Sequence, residues 1–232
     1  MLRQRILTLT TALAAVALAT ATINDSVTLK RVVKVGDVHT WKLNVDMDFQ
    51  GTEVNITADI TEEVLKVNED GSFTVTEMQE NQVIIMAGAE QAGPEAPAVK
   101  STVAASGQIL KIESTQMDPD AYRFASLMIV MWPTKDVDVG SEWKVETKAD
   151  SEKGTFDMTY EYEIVERGDL LGHDCFKIDF KTEETSGGSA SSEGTIWIDV
   201  KTGLTVKVDG DMYSAPMMGM AIDAHFLVEL DN

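Results

Sequence analysis

The feature that most constrains this chain is a strict two-residue alternation of apolar and polar side chains, renewed in segment after segment. From Thr40 to Phe49, residues Trp41, Leu43, Val45, Met47 and Phe49 fall on one side, with Lys42, Asn44, Asp46 and Asp48 on the other. Val54, Ile56, Ala58 and Ile60 continue the pattern, and Phe156, Met158, Tyr160, Tyr162 and Ile164 renew it in the second half. Period two with one wet face belongs to antiparallel strands laid on a core. Turn compositions separate the runs at Gln50-Gly51, Asn68 to Gly71, Ser106-Gly107, Gly168 to Asp174 and Lys201 to Gly203. A β-bulge is expected at Glu62-Glu63, letting Leu65 and Val67 carry on in the other register. Residues 86–98 read as a surface loop and Thr185 to Gly194 as a flexible hairpin tip. Met220 to Leu230 form a final strand with Ile222, Ala224, Phe226, Val228 and Leu230 inward.

One stretch breaks the period. Asp118-Pro119 supplies an N-cap and a proline at the first helical position. Helical spacing then places Ala121, Tyr122, Ala125, Met128, Ile129 and Trp132 on one face, and Pro133 stops the run. The spacing predicts one broadly apolar, buried helix over about 118–132. It separates two similar halves. Val33-Lys34-Val35-Gly36 leads to Trp41, and Val137-Asp138-Val139-Gly140 leads to Trp143. The expected organisation is therefore a single β-rich domain over 22–232, with a pseudo-repeat at about 26–115 and 136–230 linked by helix 118–132.

Size narrows the architecture. About eleven strands at roughly 4.8 Å spacing make a sheet on the order of 50 Å wide, whereas a helix of about 15 residues is roughly 22 Å long. The helix covers two or three strands, so the remaining apolar faces must meet one another. The fold class is mainly β, a curved antiparallel sheet as half-barrel, barrel or two-sheet sandwich, built from two similar halves joined by the buried helix.

Residues 1–21 read as a signal peptide. Arg3 and Arg5 precede a short apolar run from Ile6 to Leu18, and two A-x-A sites end at Ala19 and Ala21. The expected location is periplasmic or extracellular, with no integral span after cleavage. The whole chain carries a net charge of −20. Such a surface repels nucleic acid and anionic headgroups. A lone cysteine, Cys175, forms no internal disulfide.

The run Gly194-Thr195-Ile196-Trp197-Ile198-Asp199-Val200-Lys201-Thr202-Gly203-Leu204 is similar to the W-I-D-x-x-T-G hairpin of periplasmic lipoprotein carriers and related half-barrel proteins. The Val-Gly-x-x-Trp entry at Val139 to Trp143 resembles one in uncharacterised secreted bacterial β-rich proteins. The first resemblance implies a curved sheet with a helix on its concave side and an apolar-ligand groove. It assigns no site residue.

No catalytic residue emerges from the sequence. His39, His173 and His225 each stand alone, and no nucleophile elbow, phosphate loop or zinc spacing is present. His173 and Cys175 share a strand face, but a Cys–His nucleophile also needs an orienting group. The metal candidates are Met212, Met217, Met218 and Met220, whose thioethers suit Cu(I); methionine is also an ordinary gap-filler at adaptable apolar surfaces. The leading expectation is an exported, non-enzymatic carrier of an apolar or lipid-like ligand, without cofactor. The alternative is an envelope structural or interaction protein with a filled core. A Met-rich copper protein and an exported enzyme stand behind these.

Overall fold

The computed structural model describes residues 26–49, 51–116, 118, 120–217 and 219–231. The expected signal peptide lies outside the described residues, as do Pro119 and Met218. The strands are β1 (Val38–Phe49), β2 (Thr52–Val67), β3 (Phe73–Met86), β4 (Ala89–Ala92), β5 (Val99–Val103) and β6 (Ile109–Glu113). After one helix, α1 (Ala121–Ser126), come β7 (Glu142–Thr147), β8 (Asp157–Leu170), β9 (His173–Ser186), β10 (Ser191–Asp199), β11 (Thr205–Met217) and β12 (Met220–Leu230). They make one curved 12-stranded antiparallel sheet in the order β6-β5-β3-β2-β1-β12-β11-β10-β9-β8-β7, with β4 hanging on β3.

That order dictates the rest. Strands pair with their neighbours in sequence, except that β5 pairs with β3 past β4, β12 returns to pair with β1, and the chain leaps from β6 to β7. Those two strands are the opposite edges of the sheet, so residues 114–141 must travel from one edge to the other. They cross the apolar face. Leu127, Met131 and Val137 from this crossover, with Leu29 from the lead-in, form one buried cluster with Tyr160, Ile164, Phe176, Ile178, Ile198, Phe226 and their neighbours on β8–β12. Backbone groups of the crossover are met by side chains below: Tyr162 Oη accepts from Met131 N at 3.0 Å, Ser192 Oγ donates to Leu127 O at 2.7 Å, and Trp143 Nε1 donates to Met131 O at 2.8 Å. Tyr122 Oη accepts from Ile112 N at 2.8 Å, closing part of the open β6 edge.

The turns at Gly36 and Gly140 share one hydrogen-bond pattern. Gly36 N donates to Val64 O and Val64 N to Asp37 O; Gly140 N donates to Ile164 O and Ile164 N to Ser141 O. Gly36 and Gly140 sit at φ of +88° and +86°, a left-handed conformation that favours glycine. In each case the strand beneath bulges at the next residue, between Val64 and Lys66 and between Ile164 and Glu166.

Several local expectations are corrected. The helix spans Ala121–Ser126 rather than 118–132, and its residues are only half-buried. Beyond Leu127 the segment is irregular, because its carbonyls and N–H groups find partners on the sheet instead of four residues away. Asp118 caps a turn at Asp120 N and makes no helix cap. The bulge expected at Glu62-Glu63 lies at Leu65, and a second occurs opposite Ala58, where Asn81 takes a φ of +52°. The 86–98 segment is not wholly loop, since Ala89–Ala92 pairs with β3. The 185–194 tip is not wholly free: Ala190 and Ser192 are buried, the former donating its N–H to Glu184 Oε2 at 2.9 Å.

Candidate functional site

The two ends of the sheet are unevenly covered. Inward residues of β8–β10 are almost fully buried, with Ile164, Phe176, Ile178 and Ile198 at 0% exposure. On β1–β3 the equivalent inward residues Leu43, Met47, Phe49, Ile56, Ile60 and Ile84 remain half-exposed. None of these belongs to an apolar cluster formed by described residues. Register sets them in rows with better-covered neighbours, Trp41–Ile60–Gln79, Val45–Ile56–Ile84 and Met47–Val54–Met86; Trp41 and Val54 are buried, as is Ala58 opposite Leu43, and Val45 packs on the main core. Between Leu43 and Phe49 the floor runs about 20 Å at roughly 3.3 Å per residue.

One end of this apolar stripe is covered. Val33 packs on Val64, Phe73 and Val75. Just inside that cap, His39, Glu62 and Glu77 share one cross-strand row. Arg31, from the lead-in, donates from Nη2 to Glu62 Oε1 at 2.9 Å, and both side chains are largely buried. Among the described residues, Glu77 has no such cation. Its carboxyl is pushed up to about 7 by burial and by the neighbouring Glu62 carboxylate. Water still reaches the Glu77 side chain from the open groove, which damps the effect. Burial and then Arg31 lower the pKa of His39, holding its ring towards the neutral form.

The other concavities are of a different kind. A cleft of about 420 Å³ lies at the seam between the sheet edges, walled by Ile109, Tyr122, Ser126, Thr147, Phe156 and Tyr160. A cleft of about 1090 Å³ at the β1–β2 and β11–β12 ends is lined by Asp46, Asp48, Asp211 and Asp223 together with Met47, Val54 and Met212. His225 Nδ1 lies 3.0 Å from Asp211 Oδ1, and among the described residues no group of three or more His, Cys, Asp or Glu is placed to hold a metal ion.

The residues singled out in the sequence are dispersed. Met212 is buried in the main core, whereas Met217 and Met220 face each other across the β11–β12 hairpin. At roughly 3.3 Å per residue, Met212 lies about 16 Å from Met217 along the strand. Met218 is outside the described residues. His173 Nδ1 lies 3.0 Å from Asp199 Oδ2. Cys175 is fully buried, and burial, reinforced by Asp199, Asp174 and Asp169, pushes its thiol up to about 12. That environment suppresses the thiolate a nucleophile needs. The His39–Glu62–Glu77 row escaped sequence reading, because it exists only through cross-strand register.

No helix among the described residues is long and apolar enough to cross a membrane. No family model matches the chain, and no curated protein matches it in sequence. Among solved structures, lipovitellin, in a study of its lipid–protein interactions, is similar at a TM-score of 0.50 and 8% identity, over 86% of this chain and 25% of that one. This chain thus spans a quarter of the lipovitellin chain, and the likeness is one of fold. A DUF1329 family protein from Desulfovibrio piger aligns over 86% of this chain and 85% of its own at 10% identity, with a TM-score of only 0.25.

Proposed function

We propose that the protein is an exported, non-enzymatic carrier of an apolar ligand, held on the inner face of β1–β3. The observation that carries this reading is the uneven cover. A chain able to bury the inner face of β8–β12 leaves some 20 Å of apolar floor on β1–β3 half-exposed, and contiguous exposed apolar surface of that kind marks a binding site. The length suits one acyl chain, which spans about half of a roughly 30 Å bilayer core. The polar row at the closed end gives the ligand's head a place, with Glu77 and His39 as hydrogen-bonding partners. The fold shared with lipovitellin, a protein studied for its lipid interactions, supports the same reading. The wider organisation we propose with it is one β-rich domain behind a cleaved signal peptide, its halves 26–115 and 136–230 built on one plan. The matching turns at Gly36 and Gly140 support that plan.

Native mass spectrometry of protein purified without detergent tests the carrier. The expected result is an apolar adduct on the wild type that is missing from Ile60→Lys, with both proteins melting within a few degrees of each other. A wild type that is bare and takes up no added fatty acid or phospholipid would sink the proposal.

Glu77 makes the groove pH-dependent. Its folded pKa is raised above the ordinary value of 4.5, towards about 7 and less where water reaches the side chain, so the folded protein binds the proton more tightly than the unfolded chain. The resulting contribution is present in full when Glu77 is protonated and is lost as pH rises from 4.5 through about 7. Glu77→Gln, which keeps the neutral state, is expected to raise the melting temperature at pH 8 and leave it nearly unchanged at pH 4. The wild type should bind a long-chain alcohol more tightly at pH 5.5 than at pH 8, and Glu77→Gln should not. Equal pH profiles for the two proteins would remove Glu77 from the groove's electrostatics.

A further inference from the structure

The open end of the groove has a character of its own. Register brings three hairpin ends side by side there: β1–β2 at Gly51, β3–β4 at Gly88 and β11–β12 at Gly219, on strands that neighbour one another in the order β3-β2-β1-β12-β11. All three glycines have positive φ, and a Cβ built on any of them meets nothing within 4 Å, so each glycine borders open space. The last inward positions before the turns are apolar: Phe49 on β1, Met86 on β3 and Met220 at the start of β12. Met86 is 41% exposed and Met220 38%. A solvated hairpin end ordinarily carries polar residues on both faces. Here the apolar track of the groove instead runs on without a break, from Leu43 through Val45 and Met47 to Phe49.

We propose that these three hairpin ends form an apolar lip that docks the protein onto a phospholipid bilayer of zero net charge. The inference rests on the carrier reading, since it gives the groove's open end a membrane to face. Charge selects the surface. Asp46, Asp48, Glu53 and Asp223 alternate with the apolar residues of the same strands and line one cleft with Met47 and Val54, and the chain as a whole is at −20. An anionic bilayer repels that arrangement, while a zwitterionic one does not. The side chains also suit a fluid surface better than a fixed one. Methionine is flexible and adapts to irregular apolar surroundings, and three separate tips present no single rigid shape for a protein partner to match.

Sedimentation with vesicles of phosphatidylcholine and of phosphatidylglycerol tests the lip, comparing the full chain with its Phe49→Ser/Met86→Ser/Met220→Ser variant. Both proteins contain the apolar run 6–18, so the difference between them reports the hairpin ends alone. The expected result is binding to phosphatidylcholine that the variant loses at least tenfold, about what losing one buried apolar side chain implies, and weaker binding of the wild type to phosphatidylglycerol. Thermal unfolding checks that the triple variant folds, and Met86→Ser alone replaces it otherwise, with a loss of several-fold expected. Equal sedimentation of wild type and variant would overturn the lip, as would a wild type that ignores phosphatidylcholine or prefers the anionic vesicles. Mass spectrometry of the same samples separates the two claims. A bare wild type that still binds vesicles sinks the carrier and leaves the lip standing, and a lipid-loaded wild type that ignores them does the reverse.

Discussion

Replacing Arg123 with alanine is expected to remove about 3–5 kcal/mol of stability at pH 7, because it strands a buried carboxylate. Arg123 lies on α1 and reaches Glu184 on β9 through Nε at 2.5 Å and Nη2 at 2.8 Å, while the Glu184 side chain has no exposure to solvent. Glu184 also accepts the Ala190 N–H, and the guanidinium lies 4.9 Å from the centre of the Phe156 ring. Desolvating both ions offsets much of their attraction, so the pair's net contribution is small. Removing one partner is another matter, since the remaining charge keeps the desolvation cost with nothing to offset it. For a chain of this size the loss corresponds to a drop of roughly 6–20 °C in melting temperature. The double variant Arg123→Ala/Glu184→Gln should recover part of it, because an amide keeps the bond to Ala190 without the charge. Urea unfolding of the three proteins decides the matter. A single variant within about 1 kcal/mol of wild type would mean that water already screens the pair.

The same ion pair shows where sequence reading stops. Alternation in Thr40 to Phe49 and Phe156 to Ile164 dictates strands and an inward face, and those strands are found with those faces. What alternation cannot supply is the partner of each strand. That β12 returns to β1, leaving β6 and β7 as edges, follows from the assembly of the whole open sheet, and only then does the 114–141 crossover acquire a route. Its apolar residues were legible; their conformation was not. Helical spacing over 118–132 assumes that backbone groups are satisfied within the segment, whereas Tyr162, Ser192 and Trp143 satisfy those beyond residue 126 from outside. Glu62 is a sharper case. Sequence reasoning shifts the strand's phase at Glu62-Glu63 so that Leu65 and Val67 carry on in the other register. The structure keeps the phase through Val64, turns Glu62 inward and pairs it with Arg31, which is 31 residues away in sequence. A polar residue in phase with Ile56 and Ile60 was the available signal, and it marks the closed end of the candidate groove.

Trp143→Ala is expected to cost about 3–5 kcal/mol, the range for deleting a large aromatic from a core. Trp143 is the residue to which the Val137–Gly140 turn leads. Its ring stacks on Tyr162 with centroids 4.7 Å apart and planes inclined by 16°, and its Nε1 donates to Met131 O at 2.8 Å. Tyr162 in turn holds Met131 N and Ile129 O. The three groups therefore clamp the crossover to the β7 edge, and losing the indole loosens the cover over β8–β12 as well as leaving a void. Trp143→Phe keeps the stack and gives up only the bond to Met131 O, so its expected cost is about 0.5–1.5 kcal/mol. In the first half, Trp41 makes the corresponding kind of bond, donating from Nε1 to Thr205 O at 2.8 Å. It is 8% exposed and packs on Val206 and Leu230. Trp41→Ala should therefore fall in the same range, and the two losses should add, since the residues share no partner. Trp143 stands at the opposite end of the sheet from β1–β3. At temperatures where the variant remains folded, its groove should bind an apolar ligand as the wild type does. A Trp143→Ala protein that melted like the wild type yet had lost its ligand would show that the indole belongs to a binding site rather than to the clamp.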